Sequence, residues 1–350
     1  MPKVAIIGTT SWGITLGMIL ARNRLLVSLW ARTEQEAIEL TNAGPNLGMA
    51  NGVEFPPKLS ITSSLSKALS KASAVILAVP SQSMRRNIKL VAQHVSKSML
   101  IVSAAKGLEI DSNKRMSQVI ADEIEPGFWS NICVLSGPNL SQEILRDLPA
   151  ATVVAAEDEA IAKKAQKLFT APSFCIFTNT DVIGVELGGA LKNIIALGAG
   201  IADGLGYGDN AKAALITRGL MEMTALGVAL GAKPLTFSGL AGLGDLIATC
   251  ASPLSRNHYV GVELTRGRPL KEITDSMVGV AEGVDTTLVV WNMAQQMGLE
   301  MPITETIYRV LFEGADLRQS AVELMAAGAA HELAGRRWKL FSSYRSARRS

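Results

Sequence analysis

Two lysines lie in apolar surroundings where an ammonium group is unusual. Lys106 directly follows the apolar run MLIVSAA (99–105), and Lys192 lies within GVELGGALKNIIALGAG (184–200). A lysine in such a setting either extends its ammonium group to solvent or faces a polar cleft. In a cleft it could stabilise negative charge on a substrate oxygen and exchange a proton with it. For Lys192 taken alone, extension to solvent is the favoured interpretation.

A glycine-rich turn near the N-terminus could bind a phosphate group. The apolar run VAII (4–7) leads into Gly8-Thr9-Thr10-Ser11-Trp12-Gly13, which matches the dinucleotide fingerprint except that Thr10 replaces the middle glycine. The Cβ of Thr10 takes space that a pyrophosphate would use. Backbone N–H groups at the start of the following helix, together with the hydroxyls of residues 9–11, could still face an anion. A strand-to-helix turn without a ligand is the alternative.

The end of the second strand bears on the choice of dinucleotide. The run LLVSLW (25–30) is followed by Ala31 and Arg32, and the acidic residue nearest in sequence is Glu34. An acid at this point would bind a ribose 2′-hydroxyl, whereas an arginine suits a 2′-phosphate. The sequence therefore predicts that NADPH is at least tolerated, with an exposed surface arginine as the alternative.

Histidine and cysteine chemistry is not indicated by the sequence. None of His94, His258 and His331 has a carboxylate or cysteine nearby at ligand spacing, so we expect no histidine general acid and no metal site. The three cysteines, Cys133, Cys175 and Cys250, fit neither a disulfide framework nor a zinc site, which favours reduced thiols. No secretory apolar region follows Met1-Pro2-Lys3, so we expect a cytoplasmic protein.

The pattern of apolar runs predicts an α/β domain followed by an all-α domain. The expected strands are 3–8, 25–30, 74–80, 99–105, 132–137, 151–156 and 173–178. Helical stretches such as 81–95 separate them, which indicates a Rossmann-type, mostly parallel sheet covered on both faces. After about residue 181 the pattern becomes helical throughout. We therefore expect a dinucleotide-binding domain (1–180), a helical substrate domain (181–335) and a tail (336–350). No apolar run is expected to be long enough to span a membrane.

The net charge of +3 comes from the tail. Residues 336–350 carry six basic side chains and no acid, so the remaining chain has 28 basic and 31 acidic residues, and nucleic-acid binding is not supported. Trp338, Phe341 and Tyr344 recur every three residues in the tail. A helix there could contact an anionic membrane weakly, although a solvated, partly disordered tail is favoured.

Several longer motifs point to one enzyme family. They are AAKGLE (104–109), SGPN (136–139), the string 184–219, GLAGLGDLIATC (239–250), SRN (255–257), VAEG (280–283) and MPITE (301–305). In this order they closely resemble the motifs of bacterial NAD(P)-dependent glycerol-3-phosphate dehydrogenase, and the string 184–219 is highly specific.

The resemblance implies a Rossmann domain, a helical domain and reversible reduction of dihydroxyacetone phosphate to sn-glycerol 3-phosphate, which supplies phospholipid biosynthesis. It implies Lys192 as the proton donor or acceptor, with Lys106 and Asp245 as its catalytic partners. The residues expected to bind the substrate are Lys106, Gly137, Asn139, Asn193, Asp245, Thr249, Ser255, Arg256 and Asn257. Those expected to bind NADPH or NADH are Gly8, Thr10, Ser11, Trp12, Gly13, Arg32, Lys106, Ser141, Arg256, Val280 and Glu282.

The residue types suit this chemistry. Hydride delivery to a ketone builds negative charge on its oxygen, which needs a nearby cation and then a proton. Two ammonium groups about 5 Å apart repel by about 3 kcal/mol at an effective dielectric constant near 20, which would lower one lysine pKa by about two units. A bound phosphate and Asp245 would raise it again.

Further features of the substrate half fit the same expectation. Asp245 and Thr249 are four residues apart and would share one face of a helix. The glycines at positions 239, 242 and 244 would let the backbone approach a ligand. Arg256 offers a planar fork for a phosphate, although alone it reads more readily as a surface arginine.

Asn139 and Ser141 stand where the family usually has Ser or Thr and then Ala. Asn139 can still hydrogen-bond a small polar substrate, whereas Ser141 would crowd a cofactor contact slightly. The alternative functions are a catalytically silent nucleotide-binding regulator of the same fold and a dehydrogenase of another small hydroxy acid. The abundance of Gly and Ala in the helical domain would also permit a homodimer.

Overall fold

Eight strands form one sheet in the first half of the chain. The computed structural model describes residues 2–44 and 54–327, so the basic tail lies outside the described residues. The strands are β1 (Lys3–Ile7), β2 (Leu26–Trp30), β3 (Leu59–Thr62), β4 (Ala72–Leu77), β5 (Leu100–Ser103), β6 (Ile132–Ser136), β7 (Ala150–Ala155) and β8 (Phe174–Asn179). Their spatial order is β3-β2-β1-β4-β5-β6-β7-β8, and every neighbouring pair is parallel except β6 and β7.

The expected sheet is confirmed, with two differences. The strand β3 is a short segment that was not expected, and it extends the sheet beyond β2 through the parallel register Val27 to Leu59. The expected strands 74–80 and 99–105 end earlier, at Leu77 and Ser103, because the chain turns there to form the ligand-binding edge. The central strands are buried on both faces, as their continuous apolar sequence indicates.

Helices cover both faces of this sheet. They are α1 (Ser11–Arg22), α2 (Glu34–Ala43), α3 (Leu65–Leu69), α4 (Met84–Ala92), α5 (Met116–Glu123), α6 (Ser141–Leu145) and α7 (Glu159–Phe169). The expected helix 81–95 is shorter, because Ser81–Ser83 form a 3-10 turn before α4 and α4 ends at Ala92. Hydroxyl and carboxylate caps set several starts: Thr10 precedes α1, Thr33 precedes α2 and Asp158 precedes α7.

Only helices follow Asn179 in the described part of the chain. They are α8 (Val182–Gly204), α9 (Gly208–Ala229), α10 (Pro234–Phe237), α11 (Asp245–Ala251), α12 (Arg256–Thr265), α13 (Leu270–Ser276), α14 (Glu282–Met297), α15 (Pro302–Phe312) and α16 (Leu317–Ala327). A π-helical turn, Leu240–Gly244, joins α10 to α11. The cores of the two halves are formed by separate clusters of buried side chains.

Helix α8 is the central element of the helical half, packed against α9, α11, α12 and α14. Its glycines serve close helix packing: a Cβ at Gly200 would lie 2.0 Å from the His258 carbonyl oxygen, and one at Gly261 would lie 2.2 Å from that of Leu197. The backbones of α8 and α12 therefore touch where they cross. This contact explains why an almost continuous apolar helix carries so many small residues.

Two segments have the length and hydropathy of a membrane span, so the expectation that no run would reach that length is wrong. They are α8 and the stretch Pro234–Ala251. In α8, 89% of the apolar window is buried inside the protein, compared with 44% for the second stretch. The apolar character of α8 is thus accounted for by its place at the centre of the helical core.

Candidate active site

Two lysine side chains and one carboxylate meet where the sheet faces the helical half. Lys106 lies in the loop after β5, Lys192 lies at the middle of α8, and Asp245 is the first residue of α11. The Asp245 side chain is 2% exposed and that of Lys192 is 8% exposed. The ammonium group of Lys192 is therefore turned inward, so the polar-cleft interpretation holds and extension to solvent does not.

Asp245 bridges the two ammonium groups. Lys106 Nζ donates to Asp245 Oδ2 at 2.7 Å, and Lys192 Nζ donates to Asp245 Oδ1 at 2.7 Å. Lys192 also donates to Thr249 Oγ1 at 2.5 Å, and the Thr249 hydroxyl donates to the Asp245 carbonyl oxygen one helical turn earlier. Lys106 also donates to the Gly137 carbonyl oxygen at 2.6 Å. Since an ammonium group has three donors, each lysine keeps one N–H for a substrate.

The surroundings lower the pKa of Lys106 to about 8. Burial is the main cause, and the positive charge of Lys192 acts in the same direction, while Asp245 opposes both. The sequence left the net shift open, because Asp245 opposes the repulsion between the two ammonium groups, and it gave no sign that burial is the main cause of the lowered pKa of Lys106. At neutral pH Lys106 still carries its proton.

An amide chain connects this cluster to α12 and α14. Asn193 Nδ2 donates to the Lys106 carbonyl oxygen at 3.2 Å, and Asn193 Oδ1 accepts from Asn257 Nδ2 at 2.8 Å. Asn257 Oδ1 in turn accepts from the Gly283 N–H at 2.9 Å. The two asparagines therefore link the loop after β5 to helices α8, α12 and α14. Asn257 Nδ2 uses one of its two N–H donors on Asn193, so its second N–H and the backbone N–H in the first turn of α12 are both available to an anion.

A second cationic position lies at the N-terminus of α12. Ser255 caps the helix by accepting from the His258 N–H, which leaves its hydroxyl hydrogen available. Within the described residues the exposed Arg256 guanidinium has no hydrogen-bond partner, and a Cβ at Gly279 would lie 2.5 Å from its Nη1. A cleft of about 320 Å³ lies beside Ser255, Arg256 and Tyr259. A hydroxyl, helix N–H groups and a guanidinium together suit a phosphate.

The loop after β6 supplies polar groups to the same region. Gly137 has a φ of +144°, and a Cβ there would lie 2.8 Å from Thr152 Oγ1, so the turn requires glycine. Both polar atoms of the Asn139 side chain are buried and have no protein partner within the described residues. Such an amide is expected to bind a ligand or water. Ser141 is the half-buried first residue of α6.

The glycine turn has the geometry of a dinucleotide site. Gly8 has a φ of +114°, and a Cβ there would lie 2.6 Å from the Ala78 carbonyl oxygen. A Cβ at Gly13 would lie 2.1 Å from the Gly8 carbonyl oxygen, so neither position accepts another residue without movement. The N–H groups of Ser11 and Trp12, at the start of α1, have no partner within the helix. This arrangement fits a pyrophosphate.

The Thr10 hydroxyl forms two hydrogen bonds within the protein. Its hydroxyl donates to the Ala78 carbonyl oxygen at 2.7 Å and accepts from the Gly13 N–H at 3.1 Å, so Thr10 is the N-cap of α1. The Thr9 hydroxyl donates to Glu36. The expectation that these two hydroxyls would donate to a bound anion is wrong for this arrangement, and only Ser11 keeps a hydroxyl at the helix start. The Trp12 ring packs edge-on against Phe174, and its buried Nε1 has no hydrogen-bond partner among the residues that the structure describes.

The remaining expected cofactor residues lie along both sides of the cleft. The side chain of Arg32 is 66% exposed, and its Nε lies 3.9 Å from Glu36 Oε2. Val280 is exposed in the loop before α14. Glu282 is the first residue of α14 and accepts hydrogen bonds from both the N–H and the hydroxyl of Ser81.

Three features of the region were missed from the sequence. Ser81, which follows the end of β4, joins the sheet half to the helical half through its hydrogen bonds to Glu282. The acid beside the glycine turn is Glu36 and not Glu34, which accepts a hydrogen bond from Ser63 instead. Gly242 packs against Phe237 rather than admitting a ligand. The signal for Ser81 was its place after a parallel strand at the ligand-binding edge.

The histidines take no part in this cluster where they are described. His258 Nε2 lies 2.7 Å from Asp203 Oδ2, a pairing between residues 55 positions apart, and Lys212 shares the same carboxylate. Histidine 331 lies outside the described residues. Within residues 2–44 and 54–327, no three His, Cys, Asp or Glu side chains are grouped to hold a metal ion.

Comparisons with known proteins agree with this geometry. Residues 3–162 match the family described as NAD-dependent glycerol-3-phosphate dehydrogenase N-terminus, and residues 181–322 match its C-terminus. A glycerol-3-phosphate dehydrogenase [NAD(P)+] of Dehalococcoides mccartyi is 64% identical over 99% of this chain and 97% of that protein. One from Geobacter metallireducens is 46% identical over 92% of this chain and 96% of that protein. The crystal structure of a glycerol-3-phosphate dehydrogenase from Coxiella burnetii is similar at a TM-score of 0.87 and 35% identity, over 93% of this chain and 98% of that one.

Proposed function

The chain belongs to the NAD-dependent glycerol-3-phosphate dehydrogenase family, and from this we propose that Lys192 is the proton donor of its reaction. The protein is an NAD(P)-dependent oxidoreductase that interconverts dihydroxyacetone phosphate and sn-glycerol 3-phosphate, a precursor of phospholipids. The observation that carries the proposal is the Asp245 carboxylate that both lysines share.

The phosphate of the substrate binds at the N-terminus of α12. Arg256 supplies a guanidinium with no hydrogen-bond partner in the described part of the chain, and Ser255 supplies a hydroxyl hydrogen that its capping role leaves available. The helix N-terminus adds backbone N–H groups. Binding of the phosphate at this end places the ketone of a three-carbon substrate towards the lysine pair, and orientation of this kind lowers the barrier of the chemical step.

The lysine pair acts on the ketone oxygen. The remaining N–H of Lys106 polarises the carbonyl, and the remaining N–H of Lys192 lies on the same carboxylate bridge and supplies the proton. NADPH or NADH would be held at the glycine turn and would supply the hydride to the ketone carbon when bound. The ketone oxygen takes the Lys192 proton, which completes the secondary alcohol and leaves Lys192 neutral. Asp245 places a carboxylate between the two ammonium groups and so reduces their mutual repulsion.

Replacement of the proton donor tests the assignment. In Lys192→Met the reduction rate should fall by about 10³-fold, within the range that positioned proton donors contribute. The rate is measured as dihydroxyacetone phosphate-dependent loss of NADPH absorbance at 340 nm, and the Kd of NADPH is measured in parallel by its fluorescence. Lys163→Met is the matched control, because Lys163 forms an exposed ion pair with Glu159 on the surface of α7. A folded Lys192→Met enzyme that keeps a tenth of the wild-type kcat would contradict the role.

Finer features of the protein belong to the same proposal. We place the boundary between the dinucleotide domain and the substrate domain near residue 180, because β8 ends at Asn179 and α8 begins at Val182. The three cysteines are unpaired, which supports a cytoplasmic location.

A homodimer through the helical half is tested by measuring the molecular mass in solution by light scattering. Weak membrane contact by residues 336–350 is tested by sedimentation of the full chain and of residues 1–335 with anionic vesicles.

A further inference from the structure

A carboxylate lies between the glycine turn and the end of β2. Glu36, in the first turn of α2, accepts from the Thr9 hydroxyl through Oε1 at 2.5 Å and from the Arg32 backbone N–H through Oε2 at 2.9 Å. The Glu36 side chain is 25% exposed, whereas that of Arg32 is 66% exposed. The carboxylate is therefore fixed by two donors on two different segments, while the guanidinium is mostly exposed and lies 3.9 Å from it.

In a dinucleotide-binding sheet, side chains at this position contact the adenosine ribose. The adenosine ribose of the cofactor lies over the carboxyl end of the second strand, next to the glycine turn. A carboxylate there accepts hydrogen bonds from the ribose hydroxyls, and an arginine there pairs with a 2′-phosphate. This chain has both groups within 3.9 Å of each other.

We propose that Glu36 is a specificity-determining residue that favours NADH and opposes the 2′-phosphate of NADPH, so that Glu36 and Arg32 together set the preference between the two. The inference rests on the proposed function, because it requires the glycine turn to hold the dinucleotide. The fixed carboxylate needs no rearrangement to meet a ribose diol. A 2′-phosphate brings a second negative group beside it, and Arg32 must leave Glu36 to compensate.

A purely structural role for Glu36 makes a different prediction. Glu36 also donates its backbone N–H to the Thr33 cap of α2, so its side chain could serve only to fasten that helix to the turn. Loss of such a fastening would weaken NADH and NADPH alike. A specificity role moves the two Kd values in opposite directions.

The experiment is a fluorescence titration of the full-length protein with NADH and with NADPH, which needs no turnover. In Glu36→Gln the Kd of NADPH should fall by about five-fold and that of NADH should rise by about three-fold or more. Glu36→Ala should change the ratio in the same direction. Glu34→Gln is the matched control and should leave the ratio within about two-fold, because Glu34 bonds Ser63 and not the turn.

Two results would overturn the inference. A ratio of Kd values in Glu36→Gln and Glu36→Ala within two-fold of wild type would assign Glu36 a structural role only. Wild-type protein that binds neither dinucleotide would overturn this inference and the proposed function together, so the two failures are distinguishable.

Discussion

The lysine cluster and the glycine turn both place polar groups at the edge of the sheet, but they satisfy those groups differently. In the cluster, each ammonium group uses two of its donors on the protein and keeps one for a ligand. At the turn, the Thr9 and Thr10 hydroxyls are fully committed to the protein, and the backbone N–H groups of α1 are what remains. Side chains therefore provide the chemical groups at the lysine cluster, whereas backbone N–H groups provide the binding groups at the glycine turn.

The largest effect on this contrast is expected at Arg256. Arg256→Ala should raise the KM for dihydroxyacetone phosphate by about 100-fold, because a charge-assisted pair to a phosphate is lost. Steady-state kinetics at saturating NADPH measure it. Arg266→Ala is the matched control from the end of the same helix, where Arg266 pairs with Glu263. An unchanged KM in Arg256→Ala would remove the phosphate from this site.

A smaller effect is expected at the turn. Thr10→Val should lower the free energy of unfolding by about 1–2 kcal/mol, since it removes the cap of α1 and the bond to the Ala78 carbonyl oxygen. Urea unfolding measures this, and Thr10→Ser should retain most of the stability.

Thr10→Gly sharpens the comparison, because NADPH affinity should not improve when the Cβ is removed. A marked gain in affinity would show that the Thr10 side chain obstructs the pyrophosphate.

A pH-dependent effect on stability is expected at a buried carboxylate outside both regions. Glu222 accepts from the N–H groups of Ile303 and Thr304 at the start of α15, and burial raises its pKa to about 7. Because this pKa lies above the ordinary 4.5, stability from the protonated form is present below pH 4.5 and is lost as the pH rises through 7. Relative to Glu222→Gln, wild type should lose up to about 3 kcal/mol over that interval in urea unfolding, at about 1.4 kcal/mol for each unit of the pKa difference. Parallel pH curves would contradict this.

The parts that the sequence could predict are those encoded locally. Apolar runs of strand length and the glycine fingerprint predicted the sheet and its first turn, and the specific string 184–219 carried Lys192 and Asn193. The inward orientation of Lys192 follows from Asp245, which lies 53 residues away, so no local pattern could distinguish it from a lysine extended to solvent.

The parts that the sequence could not predict depend on distant pairings. The bond from Ser81 to Glu282 joins residues 201 positions apart, and the strand β3 has only four residues. The expectation that the Thr10 Cβ takes space near a pyrophosphate stays a prediction. The glycine fingerprint describes a type of residue and not the direction of its side chain. In the structure the Thr10 side chain turns to Ala78, which no rule of spacing conveys.

The most direct test of the lysine pair is the pH dependence of kcat/KM for dihydroxyacetone phosphate at saturating NADPH. Lys106 has a pKa of about 8 and polarises the ketone only while protonated. The account predicts constant kcat/KM below that pH and a fall towards ten-fold per pH unit above it. A profile that stays flat to about pH 9.5 would contradict it, because a cation of this pKa would then not be required.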